Sequence, residues 1–175
     1  RAVAAWIDGD EDWPEWLAPV IEALRQDPSA HSEVQQAIAD STHVAPDDKR
    51  TLAAALFALA AGENQVAIDS FNQWSELAEY QTVTDFDLGI ATTARVLMLE
   101  GSASEELLPA LQDAIDVRLE DTDEHEADIA SLTGSSFDLD GLLERFVEVA
   151  TEQRKARVAI DHLDELRSQY PSYEI

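Results

Sequence analysis

The sequence predicts an all-α protein: consecutive antiparallel helical hairpins in a repeat-like bundle, with a long C-terminal helix. Three observations support this fold class. Apolar residues recur at spacings of three and four along most of the chain, which is the period of an amphipathic helix. The six glycines fall mostly at the ends of these segments, where glycine commonly terminates a helix. A chain of 175 residues with 45% hydrophobic content can also bury a substantial core.

We predict a single all-helical domain over residues 1–175. Within it, residues 1–12 are expected to form an N-terminal strap and an acidic loop. Residues 13–134 are expected to form the helical hairpins, and residues 135–175 the long closing helix. The length agrees with this organisation, because domains of this size are common.

Two helices are predicted before the centre of the chain. The first runs from about residue 13 to residue 25, with Pro14 in its first turn, where the missing N–H costs little. The second runs from residue 27 to residue 39, where Asp27 and Pro28 form the start and the apolar stripe is weak.

The segment from Asp47 to Tyr80 predicts two amphipathic helices that fold back on each other. Asp47 and Asp48 can cap the free N–H groups of the first helix. Gly62 is expected to end that helix in a left-handed conformation, and Asn64 to cap the second. Because the connection is short, the two helices should form an antiparallel hairpin.

The same segment resembles one tetratricopeptide repeat. Gly62, Ala67 and Phe71 have the spacing of that family's glycine, small residue and aromatic residue, and Ala55 stands where its first helix has a small residue. The resemblance implies that Ala67 allows the helix backbones to approach closely and that Phe71 packs towards the next helix. It also implies a protein-binding role in a helical-repeat architecture.

The resemblance covers about one repeat, and the chain departs from the family at Thr51, Ala58 and Glu79. We therefore expect a helical hairpin of this general style. A second, fainter likeness is to all-helical bacterial immunity proteins, whose paired helices are similar to the segment from Leu88 to Gly101 with Pro109 after it.

The second half of the chain predicts three further helical segments. One runs from Asp85 to Glu100, and the next starts near Ser104. The last runs from Leu139 to about Tyr170 and would be roughly 48 Å long if unbroken, at 1.5 Å per residue. Its apolar spacing is interrupted at Gln153, but no glycine or proline marks a stop there.

The charge indicates the environment of the protein. There are 37 carboxylates against 11 basic residues, for a net charge of -26, and the acids are spread along the whole chain. Dispersed acid with only two lysines, Lys49 and Lys155, is typical of proteins in the cytoplasm of salt-in halophiles, where screening relieves self-repulsion. A nucleic-acid mimic is the rival interpretation. Both interpretations argue against direct binding to nucleic acid or to an anionic membrane, because these are negatively charged as well.

We expect a soluble, non-catalytic protein-protein interaction module, such as a scaffold, adaptor or assembly subunit, of a halophilic organism or its virus. Its partner would be another protein or a second copy of the chain. The surface predicted to bind it contains Trp6, Trp13, Trp16 and Trp74, because aromatic residues are enriched in binding hot spots. One alternative is an acidic inhibitor, such as an immunity protein or DNA mimic, that binds a basic partner. A second is a carboxylate-metal enzyme on a helical bundle.

Motifs that would indicate catalysis are missing from the sequence. It has no cysteine, no phosphate-binding glycine loop and no G-x-S-x-G or H-E-x-x-H motif, so no cofactor is predicted. The acidic run 120–128 offers Asp121, Glu124, His125 and Asp128 at helical spacing. Ligands on one helix need partners on another, as in ferritin-like bundles, so we predict no metal site. The longest apolar run, 52–61, is about half of what a membrane span requires.

The halophilic interpretation predicts folding that depends on salt. We expect the thermal unfolding midpoint to rise steeply from low salt to multimolar potassium chloride, because mobile ions screen the repulsion between carboxylates. Thermal unfolding monitored together with light scattering measures this. A compact fold whose stability is the same at low salt would contradict the interpretation and favour a basic partner as the reason for the charge.

Overall fold

The computed structural model describes residues 17–39, 47–78, 83–100, 104–120, 125–134 and 137–171. Within these ranges the protein is helical, which confirms the predicted all-α class. The helices are α1 (Leu17–Gln26), a 3-10 helix (Pro28–Ala30), α2 (His31–Ala39), α3 (Asp47–Ala60), α4 (Asn64–Ala78), α5 (Asp85–Leu99), α6 (Leu107–Glu120), α7 (Glu126–Thr133), α8 (Leu139–Glu152) and α9 (Ala156–Gln169). Over the same ranges, no helix is long and apolar enough to cross a membrane.

The chain divides into two compact units. The first consists of residues 1–84 and 131–134, and the second of residues 85–130 and 135–175. Each unit is compact by itself. The prediction of one domain over residues 1–175 stays a prediction.

A tight turn joins α3 and α4 in the first unit. Gly62 has a φ of 76°, the left-handed conformation predicted for it. The Gly62 N–H donates to the Leu59 carbonyl (3.0 Å), and the Glu63 N–H donates to the Ala58 carbonyl (2.9 Å). These two bonds form a Schellman motif, which satisfies carbonyls at the end of α3. The turn brings α4 back to pack against α3.

The predicted hairpin residues lie where the two helices bury their apolar sides. Ala55 and Ala67 are fully buried, and Phe71 is nearly so. The rings of Phe71 and Trp74 lie 5.5 Å apart between centroids. Helices α1 and α2 also pack against α3, so α3 is the central helix of this unit.

An arginine caps the end of α7 within the first unit. Arg25, in the last turn of α1, donates from Nη2 to the Leu132 carbonyl at 3.4 Å. Gly134 has a φ of 70°, and a Cβ atom at this position would overlap the Arg25 guanidinium. Glycine is therefore needed here for its backbone conformation and for the space it leaves to the arginine.

The second unit is built by α5, α6, α8 and α9. Helix α5 packs against α6, α6 against α8, and α8 against α9. Arg145 of α8 forms a bidentate ion pair with Glu100, directly after α5, at 2.7 and 3.1 Å. The core contains these buried side chains: Val96, Leu99, Leu107, Leu108, Ala110, Leu111, Ala114, Ile115, Leu119, Leu142, Phe146, Val149, Ala150, Ala159 and Leu166.

The prediction of one long closing helix is wrong. Helix α8 ends at Glu152 and α9 begins at Ala156. Between them Arg154 has a φ of 57°, and the Lys155 N–H donates to the Ala150 carbonyl at 2.7 Å. This is a second Schellman turn, with arginine in the position that glycine usually occupies. Gln153, where the apolar spacing is interrupted, donates from Nε2 to the Ser104 carbonyl at 3.1 Å, so a tertiary contact stabilises the break.

Where the structure describes them, the remaining boundaries differ little from the prediction; the predicted strap and loop of residues 1–12 and residues 13–16 of the first predicted helix lie outside the described residues. The segment 27–39 begins as a 3-10 turn, in which the Asp27 side chain accepts a hydrogen bond from the Ser29 N–H at 3.2 Å. Asp138 caps α8, since its carboxylate accepts from the Gly141 N–H at 2.8 Å. Asn64 is the first residue of α4.

The left-handed arginine predicts an unusual gain in stability. Arg154→Gly should raise the free energy of unfolding by about 1 kcal/mol, because glycine adopts a positive φ without the steric cost that a Cβ atom brings. Urea denaturation measures the change. Arg154→Ala is the matched control, because it removes the same charge but keeps the Cβ atom. An equal gain in both variants would attribute the effect to charge and contradict the prediction.

Candidate functional site

An open cleft in the second unit is lined mainly by polar side chains. Its volume is about 180 Å³, and it lies between the end of α6 and α9. Three carboxylates and one histidine line it, together with an amide, a phenol and a leucine. The lining residues are Asp116, Glu120, His162, Glu165, Leu166, Gln169 and Tyr170.

Helical spacing aims these side chains at the cleft. On α6, Asp116 and Glu120 lie four residues apart, each directly after a buried residue of the core, Ile115 and Leu119. Residues at this spacing share one side of a helix. Because Ile115 and Leu119 fix the rotation of α6, the two carboxylates are held at the edge of the core.

Helix α9 supplies the opposite wall of the cleft, and helical spacing beside a buried residue again places its side chains there. His162, Glu165 and Gln169 are spaced three and four apart, beside the buried Leu166. The Gln169 amide donates to the Glu165 carboxylate at 3.2 Å. The amide therefore fixes the orientation of that carboxylate along the wall.

His162 connects the two walls. Its Nε2 atom lies 3.4 Å from Oδ1 of Asp116, and its side chain is 11% exposed. Its ring meets the ring of Phe146 of α8 edge-on, at 5.4 Å and 72°. The Nε2 atom makes no hydrogen bond with the described residues, so its contact with Asp116 is electrostatic.

The environment of Asp116 opposes its ionisation. Burial raises the pKa of Asp116 above the ordinary value, and the nearby carboxylates of Asp113, Glu120 and Glu165 raise it further. His162 acts in the opposite direction. The cleft therefore concentrates negative potential, and none of the arginines and lysines that the structure describes lines it.

This arrangement is suited to binding one organic cation. Carboxylates on two walls can accept hydrogen bonds from a guanidinium or an ammonium group, and such charge-assisted bonds are the stronger kind. The partly exposed Tyr170 ring offers apolar surface to the stem of a lysine or arginine. In the described part of the chain, no three His, Asp or Glu side chains are close enough together to hold a metal ion.

The structure describes only one of the four tryptophans predicted to bind a partner. Trp6, Trp13 and Trp16 lie outside the described residues. Trp74 lies in the first unit, 5% exposed, where it packs against Phe71. A binding role for the four tryptophans stays a prediction, and the burial of Trp74 shows that it also packs in the hairpin.

The acidic run 120–128 is only partly described. Residues 121–124 lie outside the described residues, and the His125 ring packs on Phe86 with 5.0 Å between centroids. The sequence does not single out the carboxylates of the cleft, because carboxylates occur throughout it. The signal that could have found the cleft is His162, a histidine adjacent to the apolar stripe of the last segment.

The raised pKa of Asp116 predicts how stability changes with pH. The folded protein binds this proton more tightly than the unfolded chain, so stability should fall as pH rises above the ordinary aspartate range. Asp116→Asn should remove that loss and be more stable than the wild type near neutral pH. Urea denaturation from about pH 4 to about pH 7 measures the difference.

Glu144→Gln is the control for this experiment, because Glu144 is an exposed carboxylate of α8. It should make the net charge less negative by the same amount, and its stability should change with pH as that of the wild type does. If Asp116→Asn were less stable than the wild type over the whole range, attraction to His162 would outweigh burial and the prediction would be wrong.

No protein-family model matches this chain, and no curated protein or solved structure is significantly similar to it. The resemblance of residues 47–80 to a tetratricopeptide repeat and the halophilic origin therefore stay predictions. The observations that bear on function are the geometry and charge of the cleft and the composition of the chain.

Proposed function

We propose that this protein is a non-catalytic protein-protein interaction module, a scaffold, adaptor or assembly subunit of a halophilic organism or its virus. We further propose that its cleft receives a lysine or arginine side chain of the partner. The observation that supports this is the group of carboxylates on α6 and α9, which has no arginine or lysine among its lining residues. The positive charge of the partner's side chain would neutralise carboxylates of the cleft.

The energetics of Asp116 favour this occupant. A carboxylate whose pKa is raised by burial and by neighbouring carboxylates gains more from a bound cation than an exposed one does. His162 favours the ionised form of Asp116 and so partly offsets this repulsion. A guanidinium is charged at every physiological pH, so it would favour that form further.

The proposed cytoplasm adds a constraint on the interface. At high ionic strength exposed charges are screened within a few ångströms, whereas partly buried pairs are screened much less. A halophilic binding protein therefore needs recessed ion pairs and apolar contacts. In the cleft Asp116 is half-buried, so a cation paired with it would be partly shielded, and the predicted surface of Trp6, Trp13 and Trp16 would provide apolar contacts.

The acidic-inhibitor alternative has one observation in its favour. Carboxylates on two helices crowd one cleft, and burial together with this crowding raises the pKa of Asp116. A mimic of a phosphate chain would use such crowding to occupy a basic nuclease or DNA-binding protein. The two functions differ in salt dependence, because an inhibitor that binds through many ion pairs should lose affinity steeply as salt rises.

Binding of a cation can be tested with a short arginine-containing peptide. In NMR titrations of the full chain, we expect the largest amide shifts near Asp116 and Glu165, and smaller ones with a peptide in which citrulline replaces arginine. Glu120→Gln combined with Glu165→Gln should weaken binding about tenfold or more, since two charge-assisted contacts are lost.

Glu144→Gln is again the matched control and should bind as the wild type does. Equal affinity in the double variant, or shifts spread evenly over the acidic surface, would show that the cleft is not the binding site. Affinity that persists in molar salt would favour the interaction module, and affinity that disappears there would favour the inhibitor.

A further inference from the structure

We propose that the partner of the cleft is a second copy of this chain, so that Arg154 and Lys155 of each copy enter the cleft of the other. This inference rests on the proposed function, because it names the partner that supplies the cation. Three features support it: two cations at the start of α9, the acidic cleft near its end, and a partly exposed stripe of α9 that connects them.

The start of α9 carries two cations that the other described residues do not neutralise. Arg154 is exposed and Lys155 is half-buried. Within the described part of the chain, neither the guanidinium nor the ammonium group makes a hydrogen bond or an ion pair. By contrast, the two arginines within α9 are each paired with an aspartate of the same helix, at 2.7 and 3.8 Å. Arg154 and Lys155 are therefore available to a partner.

The backbone at Arg154 indicates that its side chain has a role. Its φ of 57° costs an arginine stability that glycine would not lose. Strain of this kind is concentrated at functional sites. The turn is closed by two hydrogen bonds, from the Arg154 N–H to the Thr151 carbonyl at 3.0 Å and from the Lys155 N–H to the Ala150 carbonyl at 2.7 Å. The two cations are thus presented on an ordered turn, which lowers the entropic cost of binding.

One stripe of α9 connects these cations to the cleft. Its members recur at spacings of three and four, so they share a side of the helix next to the buried residues: Lys155, Val158, His162, Glu165 and Gln169. This is the spacing with which two helices pack against each other. The stripe begins with a cation, continues with Val158, which is 41% exposed, and ends with polar groups that line the cleft.

Two copies of this stripe are complementary when they run antiparallel. With a two-fold axis at the level of residue 160, Lys155 lies opposite Glu165 of the second copy. Arg154 lies opposite Leu166, at the level of the cleft. Each contact then occurs twice, as a two-fold interface requires. The two Val158 side chains would meet beside the axis and form an apolar centre between the ion pairs.

The charge of the chain determines the conditions under which the copies associate. Two chains that each carry a net charge of -26 repel each other at low ionic strength. Molar salt screens this repulsion, whereas ion pairs to a half-buried carboxylate such as Asp116 are screened less. We therefore expect monomers at low salt and two-fold dimers in molar potassium chloride.

Sedimentation equilibrium of the full chain in molar potassium chloride tests this. We expect the mass of the wild type to reach that of two chains and to stay there as the protein concentration rises. Arg154→Gly should weaken association about a hundredfold, because each dimer loses two charge-assisted contacts worth about tenfold each. Glycine relieves the strained backbone, so a failure to fold would not explain the loss. Arg167→Gln is the matched control, because it removes an exposed arginine on the side of α9 opposite to Val158, and it should associate as the wild type does.

A mixture of two variants tests whether Arg154 pairs with the cleft. Glu120→Gln combined with Glu165→Gln keeps Arg154 but removes two carboxylates from the cleft, so this variant should also associate about a hundredfold more weakly. Mixed with Arg154→Gly, it should form a dimer that contains one intact contact. We expect that mixed dimer to be about tenfold weaker than the wild-type dimer and stronger than either variant with itself.

Three results would overturn the proposal: a wild type that stays monomeric in molar salt, a mass that keeps rising past two chains, or an Arg154→Gly variant that associates as the wild type does. Titrating Arg154→Gly with the arginine-containing peptide separates these results from a failure of the proposed function. Binding of the peptide together with a monomeric wild type would overturn only the self-association. Absence of peptide binding would contradict the proposed function of the cleft as well.

Discussion

Positive charge is scarce in this protein, and the packing of its helices depends on where that charge is placed. With 11 basic residues against 37 carboxylates, few arginines can be left unused. Arg145 ties α8 to the end of α5 through two short bonds to Glu100. Arg118, buried on α6, donates to the Thr93 hydroxyl of α5 at 3.3 Å. Arg25 caps the Leu132 carbonyl in the first unit. Each of these cations holds two elements together, whereas the α6–α9 cleft has only a histidine in that place. The cleft therefore has no arginine or lysine of the kind that joins these other pairs of elements.

The two Schellman turns show how the same backbone motif can serve different purposes. At Gly62 the left-handed residue is glycine, its conformation is free of strain, and the hairpin that it closes is tightly packed. At Arg154 the left-handed residue is arginine, and the contact that stabilises the turn is the bond from Gln153 to the Ser104 carbonyl. The first turn is specified locally by the sequence. The second is stabilised in addition by a tertiary contact, from Gln153 to the Ser104 carbonyl.

Much of the fold could be predicted because helical periodicity is a local signal. The positions of α3 to α6, the turn at Gly62 and the cap at Asp138 follow from apolar spacing and from residues with known preferences at helix ends. The break at Arg154 could not be predicted this way, since arginine rarely adopts a positive φ and nothing nearby marks a stop. The cleft could not be predicted either. Carboxylates occur along the whole chain, so their positions in the sequence do not show which of them lies near His162. The packing of α6 against its neighbours decides this.

The division into two units has a consequence for spectroscopy. All four tryptophans fall within residues 1–84, and the one that the structure describes, Trp74, is buried beside Phe71. Because residues 85–175 contain no tryptophan, no indole of the second unit contributes to the emission, while far-ultraviolet circular dichroism sums the helices of both units. A difference between the two melting curves would mean that the units unfold separately, and coincident curves would mean that they unfold as one cooperative body.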